Sequence, residues 1–189
     1  MYTYSYEIPK HMSMQNRLPL TDEYGNVHCY IKKRKPRKLT RIVNNLFSLT
    51  LNYCFEAVDR NEKIIYSISA LKFKLDYKLT TPFQKIVLQR MREQLIESKY
   101  TWQYNSDTYV FLQHYSLEVR LFKNDEEIAT LKLLDTRNSD ELDNVSITLL
   151  KEDDANLAAL MAVLYHSLYY YNRYDSTLLG TSISLLDAI

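Results

Sequence analysis

Glycine is nearly missing: the 189 residues contain two, Gly25 and Gly180. A nucleophile elbow, a phosphate-cradling loop and a dinucleotide-binding fingerprint each need glycines at fixed offsets, so all three are excluded. Turns must instead use Asn and Asp, which tolerate positive φ next best. Cysteine is as scarce. Cys29 and Cys54 are too few for a disulfide framework and fit no zinc or redox spacing, so they read as core thiols. No apolar run reaches the length of about 18 residues needed to span a bilayer as a helix. The opening MYTYSYEIPKHMS has no charged leader followed by an apolar stretch, which argues against a signal peptide and predicts a cytoplasmic location. His11, His28, His114 and His166 are scattered, and no pair has metal-ligand spacing on a helix. The expectation is a non-enzymatic protein with no metal and no cofactor.

What is present points to strands. Tyrosine supplies 17 residues, and 46% of the chain is hydrophobic against 25% charged, as in an ordinary globular protein. YTYSYEI alternates Tyr2, Tyr4, Tyr6 and Ile8 with polar neighbours, the period of a half-buried strand, and Pro9 ends it. Acidic or amide turns followed by alternating runs recur in DEYGNVHCYI (22–31), DRNEKIIYSI (59–68) and KNDEEIATL (123–131). The first two superpose at an offset of 37, Asp22 on Asp59, and the third is one residue shorter. Such units predict antiparallel hairpins. With FSLTLNYCFEAV (47–58), a run over 64–79 long enough to bend or split, a hairpin over 100–112, and strands at 116–122, 128–134 and 145–150, about ten strands are expected.

Two helices are predicted as well. At 80–99, Thr81 reads as an N-cap, Pro82 as the first helical residue and Gln84 as the closing member of a capping box. Phe83, Ile86, Val87, Met91 and Leu95 form its apolar stripe, so it should lie on the surface of the sheet. The second helix, 153–172, starts with Asp153 and Asp154 at its positive end. Between Leu157 and Tyr171 only His166 and Ser167 are polar. A helix apolar all round is buried all round, and this segment rises only about 22 Å against a hydrocarbon layer of about 30 Å. Burial in protein is the consequence. A strand-rich chain with one such helix suggests an all-β-dominated fold: a closed antiparallel barrel wide enough to enclose the helix.

The segments YEIPKHMSM, LPLTDEYGNVHCYI, FEAVDRNEKIIYSI with LEVRLFKNDEEIATL, TWQYNSDTYVFL and EDDANLAALMAVLYHSLYY occur in an order that resembles the tubby C-terminal-like superfamily. The likeness is greatest to small bacterial members related to LURP-one-related and phospholipid-scramblase-like proteins, and it extends to about residue 172. It implies a barrel of about twelve strands around a central hydrophobic helix, a single domain over 1–172, and binding to anionic membrane lipid or a regulatory role. Against that pattern the 80–99 helix looks like an insertion, and the tail 173–189 has no counterpart.

The sharpest local signal is IKKRKPRKLTR (31–41), in which Lys32, Lys33, Arg34, Lys35, Arg37, Lys38 and Arg41 concentrate positive charge, while the chain as a whole carries only +1. As a site it would engage anionic phospholipid headgroups at a membrane surface, each cation contributing about 1 kcal/mol. As a plain structural feature it would be a solvated hairpin end that Pro36 blunts. Nucleic acid competes less well, because no aromatic is interleaved and no recognition helix surrounds the run. A protein partner docking on the 80–99 helix or the 173–189 tail is the alternative from another class. Within the last helix, His166 reads as a core histidine, Tyr165, Tyr169, Tyr170 and Tyr171 as barrel filling, and Glu152, Asp153 and Asp154 as capping and dipole partners rather than cation ligands.

Overall fold

The structure, a computed structural model, describes residues 1–9, 12–13, 15–34, 54–70, 77–92, 98–113, 118–134 and 142–170. Alternation between inward apolar and outward polar residues produces twelve strands. They are β1 (Tyr2–Pro9), β2 (Arg17–Asp22), β3 (Val27–Lys33), β4 (Phe55–Val58), β5 (Ile64–Ala70) and β6 (Tyr77–Thr80), then β7 (Lys85–Arg92), β8 (Ser98–Tyr104), β9 (Asp107–Gln113), β10 (Glu118–Lys123), β11 (Glu126–Leu134) and β12 (Leu142–Leu149). Each pairs antiparallel with its sequence neighbour, and β1 pairs with β12 from Tyr2↔Leu149 to Pro9↔Leu142, which closes the barrel. The run over 64–79 does split, into β5 and β6.

One helix, α1 (Ala155–Tyr165), continues as a π-helical turn over His166–Tyr170 and fills the barrel. Every residue from Ala158 to Tyr170 is buried, and α1 contacts β3, β4, β5, β11 and β12. Ala158, Ala159 and Ala162 are buried and small, which lets the helix pass close to β3, β4, β5, β11 and β12, whose buried residues include Ile31, Phe55, Ile68 and Leu131. Asp154 caps it, its side chain accepting from Asn156 N at 2.8 Å. Asp153 accepts from Tyr4 Oη at 2.5 Å, which fixes the helix start to β1. At the far end Tyr170 Oη donates to Asp143 Oδ2 at 2.5 Å, so the helix runs the length of the barrel and ends beside the start of β12.

The hairpins solve the shortage of glycine as the sequence requires. Asn105 and Ser106, then Asn124 and Asp125, adopt positive φ in pairs (49° and 70°, 49° and 65°), the two-residue turn whose twist matches the strands. In the unit repeated at an offset of 37, Asp22 accepts from Tyr24 N and Asn26 N, and Asp59 accepts in the same way from Asn61 N and Lys63 N. The residue with φ near +80° in the first copy is Gly25; its equivalent in the second, Glu62, takes φ 64°.

Among the described residues of 80–99 the predicted surface helix is absent, and with it the helical docking surface assigned to it. The chain makes a tight turn at Thr81–Gln84 and runs on as β7 and the start of β8, both part of the barrel wall. Thr81 Oγ1 does accept from Phe83 N (3.2 Å) and Gln84 N (3.1 Å), as an N-cap would, but Thr81 N donates to Gln84 O at 2.9 Å and closes a hairpin. Ile86 and Leu88 then face inward, while Val87 and Met91, core residues in a helix, are each 47% exposed. Residues 93–97, with Leu95 of the supposed stripe, lie outside the described residues.

Candidate functional site

Strand β3 carries Cys29 and Ile31 inward and delivers the basic run to the barrel end where α1 terminates. Lys32 points outward and is held by two carboxylates, Glu62 Oε2 at 2.6 Å and Glu56 Oε1 at 3.5 Å. Glu62 also receives Arg17 Nη1 at 2.6 Å. The Lys32 hydrogen bond holds the Glu62 carboxyl below its ordinary range. Arg34 is anchored through its backbone N to Cys54 O (2.8 Å), and its guanidinium reaches Ser67 Oγ at 3.4 Å. Lys33 is half-buried, and burial pushes its ammonium pKa down. Lys32 and Arg34 are therefore tied into the wall formed by β4, β5 and their turn. Lys35, Arg37, Lys38 and Arg41 lie outside the described residues, as does the tail 173–189.

The buried polar residues of the interior have structural surroundings. His166 lies among aromatic rings, with centroids at 4.9 Å (Phe55), 5.4 Å (Tyr6), 5.8 Å (Tyr170) and 6.0 Å (Tyr165). Complete burial pushes its pKa down to about 3, so the imidazole is neutral. Cys29 is buried and its thiol is pushed up to about 12 by desolvation, which keeps it unreactive; Cys54 is half-buried. Tyr165, Tyr169 and Tyr170 pack inside the barrel, and Tyr171 lies outside the described residues. Among the described residues no group of three or more His, Cys, Asp or Glu side chains is placed to hold a metal.

At the opposite end, where α1 begins, the turns carry Asp22, Asp59, Asp107 and Asp125, and the helix approach carries Glu152, Asp153 and Asp154. The Asp22 carboxyl is held far below the usual carboxylate range, first by His28 and then by Asn26. These carboxylates share that end with Arg60, Lys63, Lys123 and Lys151, of which Lys123 pairs with Asp107 at 2.8 Å and Lys151 with Glu126.

The family model of the tubby C-terminal like domain matches residues 4–171, from the third residue of β1 to just past the π-helical turn. The chain belongs to the tubby C-terminal-like family. Neither a curated protein nor a solved structure matches it. Membership agrees with the twelve-stranded barrel and its enclosed helix, and it points to a binding or regulatory module. In this tubby-like domain β7 is a regular member of the wall, paired with β6 on one side and β8 on the other.

One feature of the tubby-like barrel has only a faint trace in the sequence. An open cleft of about 490 Å³ lies between β1 and β2, lined by residues of both strands together with Asn16 and Asn144. Its trace is the pair Pro9 and Pro19, prolines inside strand-like runs, which mark positions where no ladder hydrogen bond is donated.

Proposed function

We propose that this tubby-like domain is a cytoplasmic, membrane-peripheral module that binds anionic phospholipid headgroups through the basic run beginning at Lys32. The observation that supports the reading is local charge density: seven Lys and Arg side chains fall within residues 32–41 of a chain whose net charge is +1. Lys32 is matched by Glu56 and Glu62, whereas Arg34, hydrogen-bonded to the neutral Ser67 hydroxyl, keeps its charge; the reading assigns the binding chiefly to Lys35, Arg37, Lys38 and Arg41. At about 1 kcal/mol per cation these four supply about 4 kcal/mol, enough for salt-sensitive partitioning.

The test is co-sedimentation with phosphatidylserine-containing vesicles at low and physiological salt. Changing Lys35, Arg37, Lys38 and Arg41 together to Gln should remove the bound fraction and leave the thermal midpoint unchanged. Equal sedimentation of parent and variant overturns the lipid reading. Retention on DNA in place of vesicles, with a log–log salt slope of about −4 for four phosphates neutralised, would move the function to nucleic acid.

A protein partner is favoured by a different observation. Phe83 (86% exposed), Val87 and Met91 leave apolar surface along the β6–β7 turn and the outer face of β7. Phe83→Ser should abolish partner capture with no effect on vesicle binding.

A further inference from the structure

The outer face of β9 breaks the alternation that β1 and β12 keep. On those two strands the residues between the buried ones are polar: Ser5 and Glu7, then Ser146 and Thr148. On β9 the buried Phe111 is flanked instead by Val110 and Leu112, which point outward because successive side chains of a strand alternate. Register sets Val110 opposite Phe122 of β10 on one side and Thr101 of β8 on the other. Thr101 Oγ1 in turn meets the sulfur of the exposed Met91 on β7 at 3.8 Å. An apolar band therefore crosses the outside of the wall from β7 to β10. Between Val110, Leu112 and Phe122 it is hollowed into a shallow groove of about 230 Å³, with Lys99 and Asp125 completing the lining. Apolar surface gathered in this way marks a contact with another molecule.

The charges identify the occupant. Lys99, opposite Leu112, stands at one end of the groove, and Asp125, in the turn after β10, stands at the other. The turn lies four residues of strand beyond Leu112, about 13 Å. A two-fold axis laid across the groove midway between them passes over Val110 and Phe122. Rotation about it stacks the apolar band of a second copy on this one and sets each Lys99 against the Asp125 of the other copy. Arg120, which also flanks Leu112, is neutralised by Glu118 at 2.8 Å and Glu127 at 3.5 Å and adds no net repulsion when two copies meet. We propose that the outer face of β8–β10 is a homodimer interface, with Val110, Leu112 and Phe122 at its centre and a Lys99–Asp125 pair at each end. A lipid surface, uniform in charge, has no use for a cation and an anion at opposite ends of one groove. In the ring of strands β9 lies across the barrel from β3, so the interface leaves the basic run uncovered, and dimerisation stands or falls separately from lipid binding.

The test is sedimentation velocity of the full chain from about 1 to about 100 μM, with circular dichroism to check the fold of each variant. The parent should sediment as a dimer at the upper concentrations. Leu112→Lys, at an outward position, should be a monomer throughout. Lys99→Asp and Asp125→Lys each replace two opposite-charge contacts of the homodimer with two like-charge ones, so each alone should self-associate at least about tenfold more weakly. Mixed in equal amounts, these two variants complement each other at both ends and should form a heterodimer as tight as the parent dimer. Phe83→Ser, outside this face, should leave self-association unchanged, which separates the dimer from partner capture at the β6–β7 turn. A parent that stays monomeric at every concentration, a dimer indifferent to Leu112→Lys, or a mixture that associates no better than its components overturns the proposal.

Discussion

Acidification from about pH 7.5 to pH 5 should destabilise the protein through His166, and the size of the loss follows from burial alone. The imidazole titrates at about 3 in the folded barrel, whereas an unfolded chain returns it to its ordinary value of 6.5. Below that value the unfolded state binds a proton the folded state refuses, so stability is fully present above pH 6.5 and is lost as pH falls toward 3. At 1.36 kcal/mol per pH unit the loss by pH 5 is about 2 kcal/mol, or about 4–8 °C in thermal midpoint for a chain of this size. The buried neighbours Phe55, Tyr6, Tyr165 and Tyr170 supply no carboxylate to offset it. Carboxylates held below their ordinary range, at Asp22, Glu62, Asp107 and Glu118, lose their contribution as pH falls below their ordinary values of 3.8 (Asp) and 4.5 (Glu), so nearly all of it persists to pH 5. The assay is urea unfolding at the two pH values for parent and His166→Phe. The variant should lose about 2 kcal/mol less than the parent on acidification, whatever its stability at neutral pH. Equal pH dependence in the two proteins would refute the reasoning.

Other consequences can be read from packing. Val87→Lys, on the outer face of β7, should change unfolding free energy by less than about 0.5 kcal/mol, whereas Leu88→Lys, one residue on and fully buried, should prevent folding; circular dichroism and urea titration separate them. Leu164→Ala in α1 leaves a cavity between helix and wall and should cost about 2–5 kcal/mol by the same titration.

Much of the barrel is legible in the residue order. The apolar segment from Leu157 to Tyr171 has no polar face to offer water, so an enclosing wall is required, and only a barrel of many strands is wide enough. The Asp-led turns repeat at an offset of 37 because each Asp side chain binds the backbone of its own turn, a local interaction that survives any tertiary context. Residues 80–99 carry a helix pattern that the fold overrides, for an equally local reason. Thr81 Oγ1 accepts from Phe83 N and Gln84 N in a hairpin turn as it would in a helix cap, and the apolar positions fit both periods: 83, 86, 87, 91 and 95 as a helical stripe, 86 and 88 as an alternating strand. Pairing with β6 and β8 decided it, because a strand missing there would leave two edges open in the wall.

The functional surface divides in the same way. Charge density in residues 32–41 is a property of the chain. Its use depends on Glu56, Glu62 and Ser67, brought from later strands to hold Lys32 and Arg34. Pro9 and Pro19 can be found by eye, yet their effect needs the register that sets one opposite Glu7 and the other opposite Arg17. By itself the sequence determined which segments alternate, where turns can form and which helix must be enclosed, since those depend on neighbours within a few positions. The tertiary structure alone decided which cations are neutralised and where the barrel stays open, because both depend on contacts between residues far apart in the chain.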